Sequence, residues 1–182
     1  LPRRLVAVGN EVYATPTYDG PVVAMNAATG KTIEIAHSDY DDAWERWGIM
    51  DYVWSPDSKK LAYGDTKLRL RYVEVETGKT VDVDTGQFAP IRLYRWSPDS
   101  KWLLYDKVGQ ARFSSIFVYS LEDAKVHQLT DDFTNDYDPD FDPKGRYLYF
   151  LSDRDYNLTF SGYEFNYFYT NPARVYAATL QA

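Results

Sequence analysis

A ten-residue segment occurs three times in the sequence, and this repeat constrains the fold more than any other feature. It reads Trp-Ser-Pro-Asp-Ser-Lys-Lys-Leu-Ala-Tyr at residues 54–63 and Trp-Ser-Pro-Asp-Ser-Lys-Trp-Leu-Leu-Tyr at residues 96–105. A looser copy, Phe-Asp-Pro-Lys-Gly-Arg-Tyr-Leu-Tyr-Phe, lies at residues 141–150. The copies start 42 and 45 residues apart, so a chain of 182 residues holds about four such units.

The sequence of each unit predicts four antiparallel strands. Ser-Pro-Asp-Ser predicts a tight turn, because proline presets φ and the Ser and Asp side chains bond back to the backbone. The strand after the turn alternates, with Leu61 and Tyr63 on one face in the first copy. A third strand, a turn such as Glu-Thr-Gly-Lys at residues 76–79 and a short fourth strand follow, and this second half recurs at residues 116–129 and 22–35. Four strands in about 40 to 50 residues are typical of a β-propeller blade.

The sequence therefore predicts an all-β fold, a partial β-propeller of about four blades. Few or no helices are expected, because no stretch combines a helical apolar period with capping residues. The approximate units within this single partial propeller are 1–39, 40–86, 87–130 and 131–182. Residues 4–8 and 11–15 read as a strand pair around a Gly-Asn turn, which is interpreted as the remnant of a unit cut at its start. We expect such a chain to expose at least one sheet edge and two inter-blade faces, and therefore to self-associate or to be only marginally stable alone.

The repeated aromatic and acidic positions are interpreted as architecture and not as chemistry. The tryptophans are expected in the core between blades, where truncation to alanine costs about 3 to 5 kcal/mol. The aspartates are expected to form the turns. The structural repeat positions are Trp54, Asp57, Trp96, Asp99 and Phe141.

Composition and charge exclude several classes of function. A net charge of −7 argues against a nucleic-acid partner, because affinity for phosphates needs clustered Lys and Arg. No apolar run is long enough to cross a bilayer, so no membrane partner is expected. The lack of cysteine fits a cytoplasmic protein and leaves the periplasm open. Because the chain starts with Leu-Pro-Arg-Arg and not with Met, we expect it to be part of a longer or processed polypeptide.

The sequence offers no catalytic group, metal site or cofactor motif of its own. His37 and His127 are the only imidazoles, and both fall at or within the last strand of a unit, where solvent exposure is expected. No nucleophile elbow, phosphate-binding loop or zinc-protease motif occurs. A run of carboxylates resembles a calcium site in composition, but its members alternate along an extended segment broken by Pro139 and Pro143 and do not encircle one point. That run consists of Asp131, Asp132, Asp136, Asp138, Asp140 and Asp142.

One segment, residues 153–173, interrupts the repeat between the second and third strands of the last unit. It is too aromatic for a disordered loop. One interpretation is a surface that docks on an adjacent domain or lines a substrate channel, because Tyr and Phe are enriched at buried contacts. The alternative is a loop that packs on its own blade. The candidate residues are Tyr156, Phe160, Tyr163, Phe165, Tyr167, Phe168 and Tyr169.

The repeats resemble those of the tricorn protease family, of Tol-system propellers and of prolyl-oligopeptidase-type lid domains. The strongest stretch is residues 129–154, where Leu-Thr is followed by a Pro-containing strand and the next strand closes with Ser-Asp-Arg. The tail at residues 152–180 is similar to the last propeller blade of bacterial tricorn homologues, just before their catalytic region.

The resemblance implies a segment from the later half of a seven-bladed second propeller in a large serine peptidase. In that family the catalytic residues lie in a core that follows, so none carries over onto this chain. The expected function is a non-catalytic scaffold and a filter for peptide access or exit, with peptide substrates and adjacent peptidase domains as partners. The alternatives are a Tol-type protein-interaction module and the propeller lid of a prolyl-oligopeptidase-type enzyme.

Overall fold

A computed structural model describes residues 6–14, 22–36, 52–65, 67–155, 158–160, 167–169 and 172–180. Strands and turns make up these residues, and no helix occurs among them, which confirms the all-β prediction. Contacts divide the chain into two compact units, Leu1–Thr85 and Gly86–Ala182. In the described part of the chain, no helix is long and apolar enough to cross a membrane.

The first unit contains two four-stranded antiparallel sheets, each with its strands in sequence order. The strands of the first sheet are β1 (Val6–Val8), β2 (Glu11–Ala14), β3 (Val22–Asn26) and β4 (Thr32–Ala36). The strands of the second are β5 (Val53–Trp54), β6 (Lys60–Gly64), β7 (Arg69–Glu74) and β8 (Thr80–Thr85). The first two strands complete a four-stranded sheet with β3 and β4, since Glu11 pairs with Asn26.

The second unit contains a four-stranded sheet, a three-stranded sheet and a small hairpin, all antiparallel. The four-stranded sheet consists of β9 (Tyr94–Trp96), β10 (Trp102–Val108), β11 (Ser114–Ser120) and β12 (Lys125–Gln128). The three-stranded sheet consists of β13 (Asp136–Phe141), β14 (Tyr147–Ser152) and β17 (Arg174–Thr179), in that order. The hairpin is formed by β15 (Leu158–Phe160) and β16 (Tyr167–Tyr169).

The repeated motif forms the turn between the first two strands of a blade. The Ser55 hydroxyl donates to Asp57 Oδ1 over 2.5 Å and accepts the backbone amide of Lys60 over 2.9 Å. The amide of Ser58 donates to the Ser55 carbonyl over 2.9 Å, and Ser58 then takes a left-handed φ of 59°. This geometry is a tight turn followed by a left-handed residue, a common hairpin connection. The turn therefore depends on the motif's own side chains.

The other two copies reproduce this turn with the same backbone. In the second copy Ser97 donates to Asp99 over 2.6 Å and accepts the amide of Trp102 over 2.9 Å. In the third copy Asp142 replaces the first serine, and Gly145 takes the left-handed position with φ 65°. The looser third copy keeps the conformation because glycine adopts positive φ without steric cost.

Each unit has a core cluster that joins its two larger sheets. In the first unit the cluster combines Tyr13 and Ala24 of the first sheet with Leu61, Tyr63 and Val73 of the second. In the second unit it combines residues of the two sheets in the same way, namely Leu104, Ile116, Val118, Leu148 and Phe150. These sheets therefore pack face to face through apolar side chains, as blades of a propeller do.

Candidate functional site

The aromatic residues of the repeat lie in or beside the cores. Trp54 is partly buried against the first cluster, and the Tyr13 ring meets it edge-on with ring centroids 5.0 Å apart. Phe141 holds the matching position against the second cluster. Trp96 is buried on β9. These residues pack and do not face a reaction site.

The repeat aspartates lie in the turns. Burial raises the pKa of Asp57, but hydrogen bonds from Ser55 and the Lys59 amide outweigh it, so that this pKa lies below its ordinary value. Asp99 accepts hydrogen bonds from the Ser97 hydroxyl and the Lys101 amide. Each carboxylate is thus engaged by its own turn.

The aromatic insertion contributes the hairpin of β15 and β16 between β14 and β17. In this hairpin Phe160 is paired with Tyr167, Thr159 with Phe168 and Leu158 with Tyr169. The structure thus places four of the seven predicted aromatic residues in one hairpin. The other three, Tyr156, Tyr163 and Phe165, lie outside the described residues.

The histidines do not form a catalytic triad in the described residues. His37 lies outside them. His127 is exposed on β12, with Nε2 3.4 Å from Asp123 Oδ2. A hydrogen bond from Ser120 and the nearby His127 lower the pKa of the Asp123 carboxyl. Asp123 therefore lies between the serine and the histidine, whereas nucleophilic catalysis needs the histidine between the other two.

Two carboxylates of the acidic run pair with arginines. Asp136 is fully buried, and the Arg154 guanidinium contacts it over 2.9 Å. The same guanidinium lies over the rings of Phe150 and Tyr176, at 5.5 and 4.7 Å. Asp142 pairs with Arg146 over 3.2 Å. Among the residues that the structure describes, no group of three or more His, Cys, Asp or Glu is placed to hold a metal ion.

An open pocket in the second unit was not predicted from the sequence. Its volume is about 480 Å³, and most of its lining is apolar. The lining residues are Ala89, Pro90, Arg92, Leu93, Asp106 and Val108. Residues 89–93 precede β9, and Asp106 and Val108 lie at the end of β10. The pocket thus forms where a loop passes the neighbouring strand of its own sheet.

The loop beside the pocket is fixed at two points. Ile91 is only 2% exposed, so the middle of the loop is anchored in the protein interior. Phe88 lies beneath the guanidinium of Arg112, with Cζ 4.8 Å from the ring centroid. Arg112 belongs to the turn between β10 and β11, where its amide donates to the Gly109 carbonyl over 3.1 Å. These contacts hold the pocket wall next to the end of β10.

Asp106 is the polar group that sets this pocket apart. Its Oδ1 atom is buried and accepts no hydrogen bond from the described residues. Burial raises the pKa of Asp106 to about 6, against the lowering effect of a hydrogen bond from the Ser114 side chain. Because a buried carboxylate oxygen without a donor is costly, Oδ1 would gain from a further hydrogen bond.

The sequence did contain one signal for this position. Asp106 belongs to the third sequence repeat. Offsets of 42 and 45 residues give Gly64 and Leu151 as the equivalent residues of the second and fourth repeats. The repeat therefore tolerates the absence of a carboxylate here. A departure from the repeat at an interior strand position is the sequence signal for this site.

The sequence profile described as the second β-propeller domain of tricorn protease matches residues 13–182. The chain belongs to this tricorn propeller family. The chain is 32% identical over 126 residues to the Tricorn-like protease C-terminal subunit of Sulfurisphaera tokodaii, a match that covers 69% of this chain and 15% of that protein. The chain thus spans less than a fifth of the length of this curated relative.

This chain shares its fold with solved propeller structures. It superposes on the crystal structure of the tricorn protease with a TM-score of 0.76 at 20% identity, covering 97% of this chain and 17% of that one. It also superposes on a TolB from Agrobacterium tumefaciens with a TM-score of 0.53 at 14% identity, covering 94% of this chain and 60% of the other. At these identities the likeness concerns the propeller fold alone.

Proposed function

We propose that this chain is a non-catalytic propeller segment of a larger tricorn-type serine peptidase, and that it acts as a scaffold and as a filter for peptides. The observation that carries the proposal is the match of residues 13–182 to the second tricorn propeller. In support, the S. tokodaii relative is several times longer than the matched segment, which leaves room there for other domains. The partners proposed are peptide substrates and the adjacent peptidase domains.

The proposed filter has a steric and an electrostatic component. The steric component is a narrow passage that admits unfolded peptides only. The electrostatic component comes from the net charge of −7, which disfavours acidic peptides at long range. Peptide selection would thus begin before any contact with the catalytic core.

The test uses the full-length parent protein and peptides of one length that differ only in carrying Glu or Gln at the outer positions. At low ionic strength we expect the Glu peptides to be hydrolysed several-fold more slowly. Raising the salt from about 0.01 M to 1 M shortens the screening length from about 30 Å to about 3 Å. A long-range filter therefore loses its preference in salt, whereas direct contacts in an active site keep theirs.

Two results would contradict the proposal. Equal rates for Glu and Gln peptides at low salt would rule out the electrostatic filter. Hydrolysis of any of these peptides by the 182-residue chain itself would remove the non-catalytic assignment.

The Tol-type alternative, a propeller that binds protein partners, rests on the structural likeness to TolB. It predicts a stable complex with a folded protein and no dependence of peptide turnover on peptide charge. The peptide series above therefore separates the two functions.

A further inference from the structure

The pocket beside β10 combines apolar walls with two charged residues of opposite sign. Ala89, Pro90 and Leu93 line one side, and Arg92 and Asp106 supply the charges. Leu93 is 39% exposed, so the apolar surface is open to a ligand. Such a mixture suits a short peptide segment, which carries both apolar and polar groups.

The carboxylate of Asp106 has binding capacity that the fold does not use. Ser114 and the backbone of Asp138 donate hydrogen bonds to this carboxylate, while Oδ1 remains without a donor. Asp138 is a second acidic residue close enough to raise the pKa of Asp106. Asp106 lines the pocket, so its carboxylate lies at the wall that a ligand would contact. The local field therefore favours a cation as the missing donor.

The repeat does not require a carboxylate at this position. The equivalent positions hold Gly64 in β6 and Leu151 in β14, and both strands form their sheets. A partly desolvated carboxylate costs stability at neutral pH, as its raised pKa of about 6 indicates. A ligand that donates to Oδ1 would offset that cost.

We propose that this pocket binds a primary ammonium group of a peptide, with the ammonium on Asp106 and the adjoining aliphatic carbons on Ala89, Pro90, Leu93 and Val108. A lysine side chain and a free peptide amino terminus share this chemistry. Arg92, which also lines the pocket, is available to a peptide carbonyl oxygen. That the ammonium belongs to a peptide rests on the function proposed above.

The experiment measures peptide binding to the full-length protein, treated beforehand with a serine-reactive fluorophosphonate to prevent hydrolysis. Three peptides of one length carry a fluorophore at the carboxyl end. The first has a free amino terminus and no lysine, the second is acetylated and contains one lysine, and the third is acetylated with norleucine in place of that lysine. Fluorescence anisotropy is recorded for wild type, Asp106→Asn and the control Asp140→Asn. Asp140 is an exposed carboxylate of the same unit outside the pocket.

We expect at least one of the amine-bearing peptides to bind about tenfold more weakly to Asp106→Asn, since a hydrogen bond to a charged group is lost. The norleucine peptide and Asp140→Asn should show no such change. The first and second peptides distinguish a terminal amine from a lysine side chain. Equal binding of amine-bearing and blocked peptides, or the same affinity in Asp106→Asn and wild type, would overturn the inference. Neither result affects the salt-dependent turnover, so the proposed filter is tested separately.

Discussion

The ionised carboxylate of Asp106 lowers the stability of the fold, and it is also the form that would bind a cation. Burial raises its pKa from 3.8 to about 6, so between these values the folded chain binds more protons than the unfolded chain. Stability contributed by this group is therefore fully present below about pH 3.8, is lost as the pH rises through about 6, and stays at its lower level above that. The carboxylate thus destabilises the second unit under the conditions in which it would hold a cation.

The variant Asp106→Asn removes this titration. We expect it to stabilise the second unit at pH 8 by up to roughly 3 kcal/mol, from about 1.4 kcal/mol for each unit of pKa shift. At pH 4 most of this difference from wild type should disappear. Hydrogen exchange of the β10 and β11 amides in the full-length protein, compared between variant and wild type at each pH, measures the effect. A variant that is equally protected, or less protected, at pH 8 would contradict it, and Asp140→Asn is the matched control.

Among the elements, the blade hairpin was predictable because its causes are local. The turn uses side chains that lie within six residues of one another, so the motif alone specifies a left-handed residue and the hydrogen bonds around it. Alternation likewise placed Leu61 and Tyr63 in the core. The pocket was not predictable in this way. It depends on residues 89–93 passing beside the end of β10, and the exception to the repeat at position 106 is the sequence signal that indicates it.

The hairpin turn makes a separate prediction. Ser55→Ala should lower the free energy of unfolding by about 1 to 3 kcal/mol, because the partly buried Lys60 amide loses an acceptor and Asp57 loses a donor. Ser97→Ala should behave in the same way in the second unit. Thermal unfolding and exchange at the Lys60 and Trp102 amides measure the effect. Ser58→Gly serves as the control, since glycine suits the left-handed φ of 59° and leaves these bonds in place. Equal losses in Ser55→Ala and Ser58→Gly would contradict the assigned role of the serine hydroxyl.

For the whole molecule, the aromatic insertion decides whether this propeller segment only supports its parent protein or also handles substrate. The hairpin of β15 and β16 is inserted between two strands that already pair directly, with Ser152 opposite Arg174, so the sheet does not need it for its register. Removing residues 157–170 leaves enough chain to join β14 to β17 by a short connection. We therefore expect the full-length protein to keep its melting temperature within a few degrees after this deletion.

The same deletion should lower oligopeptide turnover per folded molecule several-fold, because it removes six of the seven aromatic side chains of the insertion, which are suited to contact with peptide or with the peptidase core. A second variant keeps the length of the loop and replaces Tyr167, Phe168 and Tyr169 by serine, which separates the loss of side chains from the loss of chain. Turnover and melting temperature are measured on all three proteins. A fall in melting temperature with intact turnover per folded molecule would show that the insertion packs on its own blade and that the filter must be sought elsewhere in the propeller.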